Sequence, residues 1–138
     1  MLCFSESALK QVYLPVLESE QTHMNLEILR TLCLSFPAVT EDIKWEHDLC
    51  FSIGGKMFCV ASMEPPLTFS MKVTDEEIEE LIAVPGIIPA PYLARYKWVL
   101  LENPQALPLD RIEKLVNQSY QMILGKLPKK ELKAAGLL

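Results

Sequence analysis

Histidine is scarce in this chain: only His23 and His47 are present among 138 residues. Two imidazoles do not make a multi-histidine metal centre, and they leave few candidates for general-base work. Paired cysteines are missing as well. Cys3, Cys33, Cys50 and Cys59 show no C-x-x-C spacing, which removes the usual ligand pattern of structural zinc. Three of the four sit within apolar patterns and read as buried free thiols of a reducing cytoplasm. No apolar run approaches the roughly 20 residues that cross a bilayer. The first six residues lack a basic n-region, and Lys10-Gln11 interrupts any apolar stretch behind them. Neither a membrane partner nor a secretory signal is expected, and the chain reads as cytoplasmic. Base is also in deficit, with 13 Lys and Arg against 18 Asp and Glu and a net charge of −5. That balance is the reverse of most nucleic-acid binders.

What the chain does have is enough apolar material for one core. Half of its residues are hydrophobic and 22% are charged, the balance of a globular domain of this length. Charge is unevenly spread. Acid concentrates over Asp75-Glu76-Glu77-Ile78-Glu79-Glu80, and base at Lys126, Lys129, Lys130 and Lys133, with a second cluster at Arg95 and Lys97. A dipolar surface of this kind leaves room for a positive face.

Residues 1–23 carry no motif and read as an N-terminal extension of unknown role. Either they lie upstream of a start at Met24, or they hold a short extra helix from about Glu6 to Leu14 that Pro15 ends. Residues 24–138 form a single domain. Asn25 is an N-cap, and Leu26, Leu29, Leu32, Cys33 and Phe36 follow at helical spacing until Pro37. Strands over 48–53 and 57–63 flank Gly54-Gly55, a hairpin signal because glycine accepts the positive φ of tight turns. A third strand covers 67–72, with Leu67, Phe69 and Met71 on one face and Thr68, Ser70 and Lys72 on the other. Thr74 with Glu77 makes a capping box for a helix that ends at Val84-Pro85-Gly86. Residues 87–90 lead through a loop or short strand, and 95–101 read as another strand. A long helix runs from about Pro108 to Leu127. Sequential strands between two amphipathic helices predict an α+β fold: an antiparallel sheet with the first and last helices packed on one face and the other face partly solvated.

Few constellations carry chemistry. In extended chain, Glu46 and Asp48 point away from His47, so Glu46-His47-Asp48 reads as a solvated strand entry. The acids of 75–80 suit a helix N-terminus. No nucleophile-base-acid set can be assembled, which argues against an enzyme, and no cofactor or metal site is expected. Gly54-Gly55 is not a phosphate loop, since a strand follows it. The candidates for a contact surface are Lys44-Trp45, Lys56, Lys72 and Arg95-Tyr96-Lys97-Trp98. Cations beside aromatics suit phosphate pairing with base stacking. The same spacing also fits two core tryptophans with solvated cations outside.

The ordered set Phe36-Pro37, Gly54-Gly55-Lys56-Met57-Phe58, Phe69 through Lys72, Pro85-Gly86-Ile87-Ile88-Pro89, Lys97-Trp98, Ser119-Tyr120 and Lys126-Leu127-Pro128 resembles the MmcQ/YjbR family from about residue 24 to 130. The resemblance implies a CyaY-like (frataxin-like) α/β sandwich and a DNA-binding role through a double-wing arrangement. Many members carry a histidine before the tryptophan; Lys97 stands there in this chain and keeps positive charge. Frataxin's iron handling does not carry over, because its acidic first helix has only Glu27 as a counterpart within 26–36. The expectation is a non-enzymatic protein that binds double-stranded DNA. Lys56, Arg95 and Lys97 would contact phosphate, Lys44 and Lys72 would support them, and Trp45 or Trp98 would stack or wedge. The alternative is a protein-interaction or small-ligand module, with Pro89-Ala90-Pro91-Tyr92 shaping a loop pocket beside Trp98.

Overall fold

The computed structural model describes residues 23–138. The possible helix at 6–14, Cys3 and nearly all of the 1–23 extension lie outside them. Helix α1 spans Leu26–Ser35, and the Asn25 side chain caps it by accepting from the Ile28 amide at 2.8 Å. Strands β1 (Thr40–Lys44), β2 (Asp48–Ile53), β3 (Lys56–Ser62) and β4 (Phe69–Lys72) follow. A short helix α2 (Ile78–Ile82) and strand β5 (Ile87–Pro89) lead to a 3-10 turn at Ala94–Tyr96. Strand β6 (Trp98–Leu101), the long helix α3 (Leu109–Leu124) and helix α4 (Lys129–Ala134) complete the chain. The six strands form one antiparallel sheet in the order β1-β2-β3-β4-β6-β5.

Alternation along the strands divides the sheet into two faces. Leu49, Phe51, Ile53, Phe69, Met71, Val99 and Leu101 belong to one core with Leu29 and Cys33 of α1 and Ile112, Val116 and Tyr120 of α3. Asp48, Cys50, Ser52, Ser70, Lys72, Trp98 and Leu100 take the opposite, helix-free face. One irregularity breaks this rhythm. The β2–β3 register shifts between Phe51 and Ser52, so Phe58 is an extra residue opposite them. The bulge turns Phe58 and Cys59 in succession toward the helices, where both are fully buried.

Four differences from the sequence expectation stand out. Strand β1 was not expected; its sequence, Thr-Glu-Asp-Ile-Lys, is mostly polar because it forms a sheet edge, where charge is tolerated. The strand expected over 95–101 starts only at Trp98, since Lys97 takes a left-handed conformation (φ 66°) that closes the 3-10 turn. The last long helix stops at Leu124, with Gly125 as its C-cap, short of the expected Leu127, and Pro128 serves instead as the N-cap residue of a further helix, α4. The capping box is half made: the Glu77 carboxylate accepts from the Thr74 amide at 2.9 Å, but residues 75–77 form a turn ahead of α2.

Candidate functional site

Part of the motif set that carries the family resemblance converges on the helix side of the sheet. The Phe36, Phe58 and Tyr120 rings pack together, with centroids 4.9 Å apart for Phe36–Tyr120 and 5.3 Å for Phe58–Tyr120. The Tyr120 hydroxyl donates to the Pro37 carbonyl at 2.7 Å. Ser119, fully buried, donates to the Phe58 carbonyl at 2.6 Å and accepts from the Lys72 amide at 3.1 Å. Gly54, at φ +59°, lies so close to Leu127 that a Cβ there would be 2.7 Å from its Cδ1. These residues hold the bulge, the hairpin and α3 in register.

The open face presents two candidate surfaces. The first is basic. The β2–β3 turn puts Lys56 at the same end of the sheet as Lys72 and Lys97. Gly54's contact with Leu127 brings Lys126 there too. Lys72 donates from Nζ to the Tyr96 carbonyl at 2.6 Å. Burial, then the charge of Lys126, lower its proton affinity; Asp75 opposes this and Lys97 adds to it. Arg95 is turned inward on its own neighbour: its guanidinium lies 4.9 Å from the Tyr96 ring centroid and donates to the Tyr96 hydroxyl at 2.7 Å.

The sequence-expected contact set does not assemble into one patch. Lys44 ends strand β1 and Trp45 opens the β1–β2 turn, at the opposite end of β2 from Lys56. Five residues of strand separate the two ends, on the order of 17 Å. Trp98 is only 5% exposed, so it packs within the fold and offers no ring for stacking or wedging. Trp45 is 64% exposed and does offer one.

The second surface is an apolar cleft of about 570 Å³. Its floor is open-face sheet: Asp48, Met57, Val60, Ser70 and Leu100. The Ala90–Leu93 loop forms one wall, and Trp45 forms another. None of the lining residues is a lysine or arginine. Two aromatic side chains stand at it in unusual backbone conformations: Trp45 at φ 52° and Tyr92, 99% exposed, at φ 68°. Left-handed backbone costs a bulky L-residue roughly 1–2 kcal/mol. Glu46 follows Trp45 at φ 67°, so the β1–β2 turn uses two successive left-handed residues where Asn-Gly would be the unstrained choice. The loop 89–92 thus shapes a pocket, but beside Trp45 rather than Trp98.

Val60 and Leu100 were not singled out in the sequence, and Met57, next to the bulge, entered only as part of the Gly54–Phe58 motif and not as a lining residue. For the floor of the cleft, Ser70's polar-face position in β4 was the available signal. Beneath this face, Cys50 is buried, and its thiol is pushed up mainly by burial. On the helix side Cys59 is pushed well up by its hydrogen bond with Cys33 and then by burial. Neither thiol is activated.

Comparison with known proteins places this geometry among relatives. Residues 34–122 match the family model described as YjbR. The Deinococcus radiodurans protein DR2400, with a domain described as DUF419, is similar with a TM-score of 0.74 and 28% identity, over 84% of this chain and 91% of that one. A protein from Pseudomonas syringae shares the fold with a TM-score of 0.61 and 20% identity, over 72% of this chain and 99% of its own. No functionally curated protein matches.

Proposed function

The chain belongs to the YjbR family, and from that premise we propose that it is a binding protein whose site is the apolar cleft on the open face of its sheet. Family membership accounts for the scaffold and leaves the chemistry to the site. One observation carries the reading: Trp45 and Tyr92, both strongly exposed, flank the cleft in strained left-handed backbone. Keeping large apolar rings in water is unfavourable, and strain adds to the cost, so their placement is understandable where a ligand covers them. The volume is that of sites for small organic molecules. The reading is binding rather than catalysis: Asp48 and the Tyr92 phenol are the ionisable groups of the lining, and they supply no nucleophile with its base.

The test is a titration of the isotope-labelled full chain with neutral 4-phenyl-1-butanol, followed by amide NMR. Saturable shifts are expected at Val60, Ser70 and Leu100, and Tyr92→Ala should weaken them several-fold without loss of fold. Shifts scattered over the surface, or unchanged in the variant, would refute the cleft as the site.

A second reading, duplex DNA, rests on the crowding of Lys72, Lys97 and Lys126 beside Lys56. Fluorescence anisotropy with a mixed-sequence duplex at low and moderate salt checks it. Salt-sensitive binding that is lost in a Lys56→Glu/Lys97→Glu variant would support it, because each lost phosphate contact lowers the salt slope by about one. No binding at low salt by folded protein would reject it.

A further inference from the structure

Resting on the cleft reading, we infer that the cleft selects a small organic cation: an ammonium on an apolar or aryl body, its charge held by Asp48 and by the faces of Trp45 and Tyr92. The argument is charge complementarity. Asp48 is the sole carboxylate of the lining, and no Lys or Arg lines the cleft to receive an anion. The ion pairs among the described residues are Arg30–Glu41, His47–Glu64 and Arg111–Glu80, and Asp48 takes part in none of them. Its cross-strand neighbour is Lys44, which does not line the cleft. The field at that end is further acidic, since Asp42 shares the open face with Asp48 and Glu46 follows in the turn. An aromatic face attracts a cation through its quadrupole, and Trp45 and Tyr92 border the same cleft as Asp48. The remainder of the floor and wall, Met57, Val60, Leu93 and Leu100, would take the apolar body.

Three probes of one shape and different charge separate this inference from the reading beneath it: 4-phenylbutylamine, 4-phenyl-1-butanol and 4-phenylbutyrate, each titrated into the full chain by amide NMR. The amine should bind about tenfold tighter than the alcohol, because a hydrogen bond to a charged group contributes more than a neutral one, and the carboxylate weakest. Asp48→Asn should remove most of the amine's advantage over the alcohol while the alcohol's own affinity holds. Tyr92→Ala, at a fully exposed position, should weaken the amine more than the alcohol, so the inference does not depend on one variant folding. Equal amine and alcohol affinities in the unaltered protein, or a preference for the amine that Asp48→Asn leaves undiminished, would overturn the cation inference and leave the cleft reading standing. Absence of cleft shifts with all three probes would overturn both.

Discussion

At the scale of single residues, much of the family pattern serves construction. Gly54 and Gly55 both have positive φ, +59° and +80°, yet they differ in surroundings: a Cβ at Gly55 meets nothing within 4 Å, whereas one at Gly54 runs into buried Leu127. Gly55→Ala should therefore cost only the left-handed backbone, roughly 1–2 kcal/mol. Gly54→Ala should cost that and the displacement of Leu127 besides. Urea denaturation of the two variants checks this, and equal losses would mean that the contact with Leu127 yields freely. This dependence was only half legible in the sequence. Gly-Gly between apolar runs announces a hairpin, but nothing local says that a leucine some seventy residues later closes over the first glycine. Trp98 shows the same limit in reverse: a tryptophan beside Lys97 looks like a contact residue, and the register does put it on the open face with Lys72, yet it is only 5% exposed there.

At the scale of elements, the joints between helices and sheet are polar and few. Arg30 of α1 holds Glu41 of β1 with a two-pronged contact, Nε to Oε1 at 2.7 Å and Nη2 to Oε2 at 2.5 Å. Hydrogen bonding from Arg30 lowers the Glu41 carboxyl's pKa against a smaller opposing effect of burial. A carboxyl whose folded pKa is depressed contributes stability above its unfolded pKa and loses it as pH falls through the folded value. Glu41→Gln should thus lower the Tm slightly at neutral pH, and the gap should close in acid and shrink in high salt. A gap that stays constant from pH 7 into the acid range would show that the carboxylate's charge is idle. Ser119 is the buried joint between α3 and the sheet. Ser119→Ala leaves the Phe58 carbonyl and the Lys72 amide without that partner, a loss of about 1–3 kcal/mol readable by chemical denaturation. Strand β1, by contrast, was hidden from a pattern search because its helix-side residues are Glu41 and Ile43, one salt-bridged and one 55% exposed.

At the scale of the whole molecule, the sheet divides its work between its two faces, and that division is what gives the cleft its meaning. The helix side contains the large core with its fully buried rings, while the open side keeps polar and half-exposed residues over much of its area. The arrangement of helices on one face was readable from periodicity; the cleft was not, because it depends on the bulge and on a loop folding back with Tyr92 in left-handed backbone. Met57 and Phe58 put the division to a direct test, since they are adjacent in sequence and sit on either side of the same strand. Phe58→Ala empties a ring-sized space between Phe36 and Tyr120 and should cost about 3–5 kcal/mol. Met57→Ala removes an only partly buried side chain from the cleft floor and should cost well under half as much, while weakening 4-phenyl-1-butanol binding. Guanidinium melts of both variants, set beside their binding isotherms, would separate stability from recognition. If Met57→Ala were as destabilising as Phe58→Ala, the open face would be a second core with no surface left for a ligand. If stability falls on one side and affinity on the other, the two faces have separate roles, and the open one is free to change its ligand without endangering the fold.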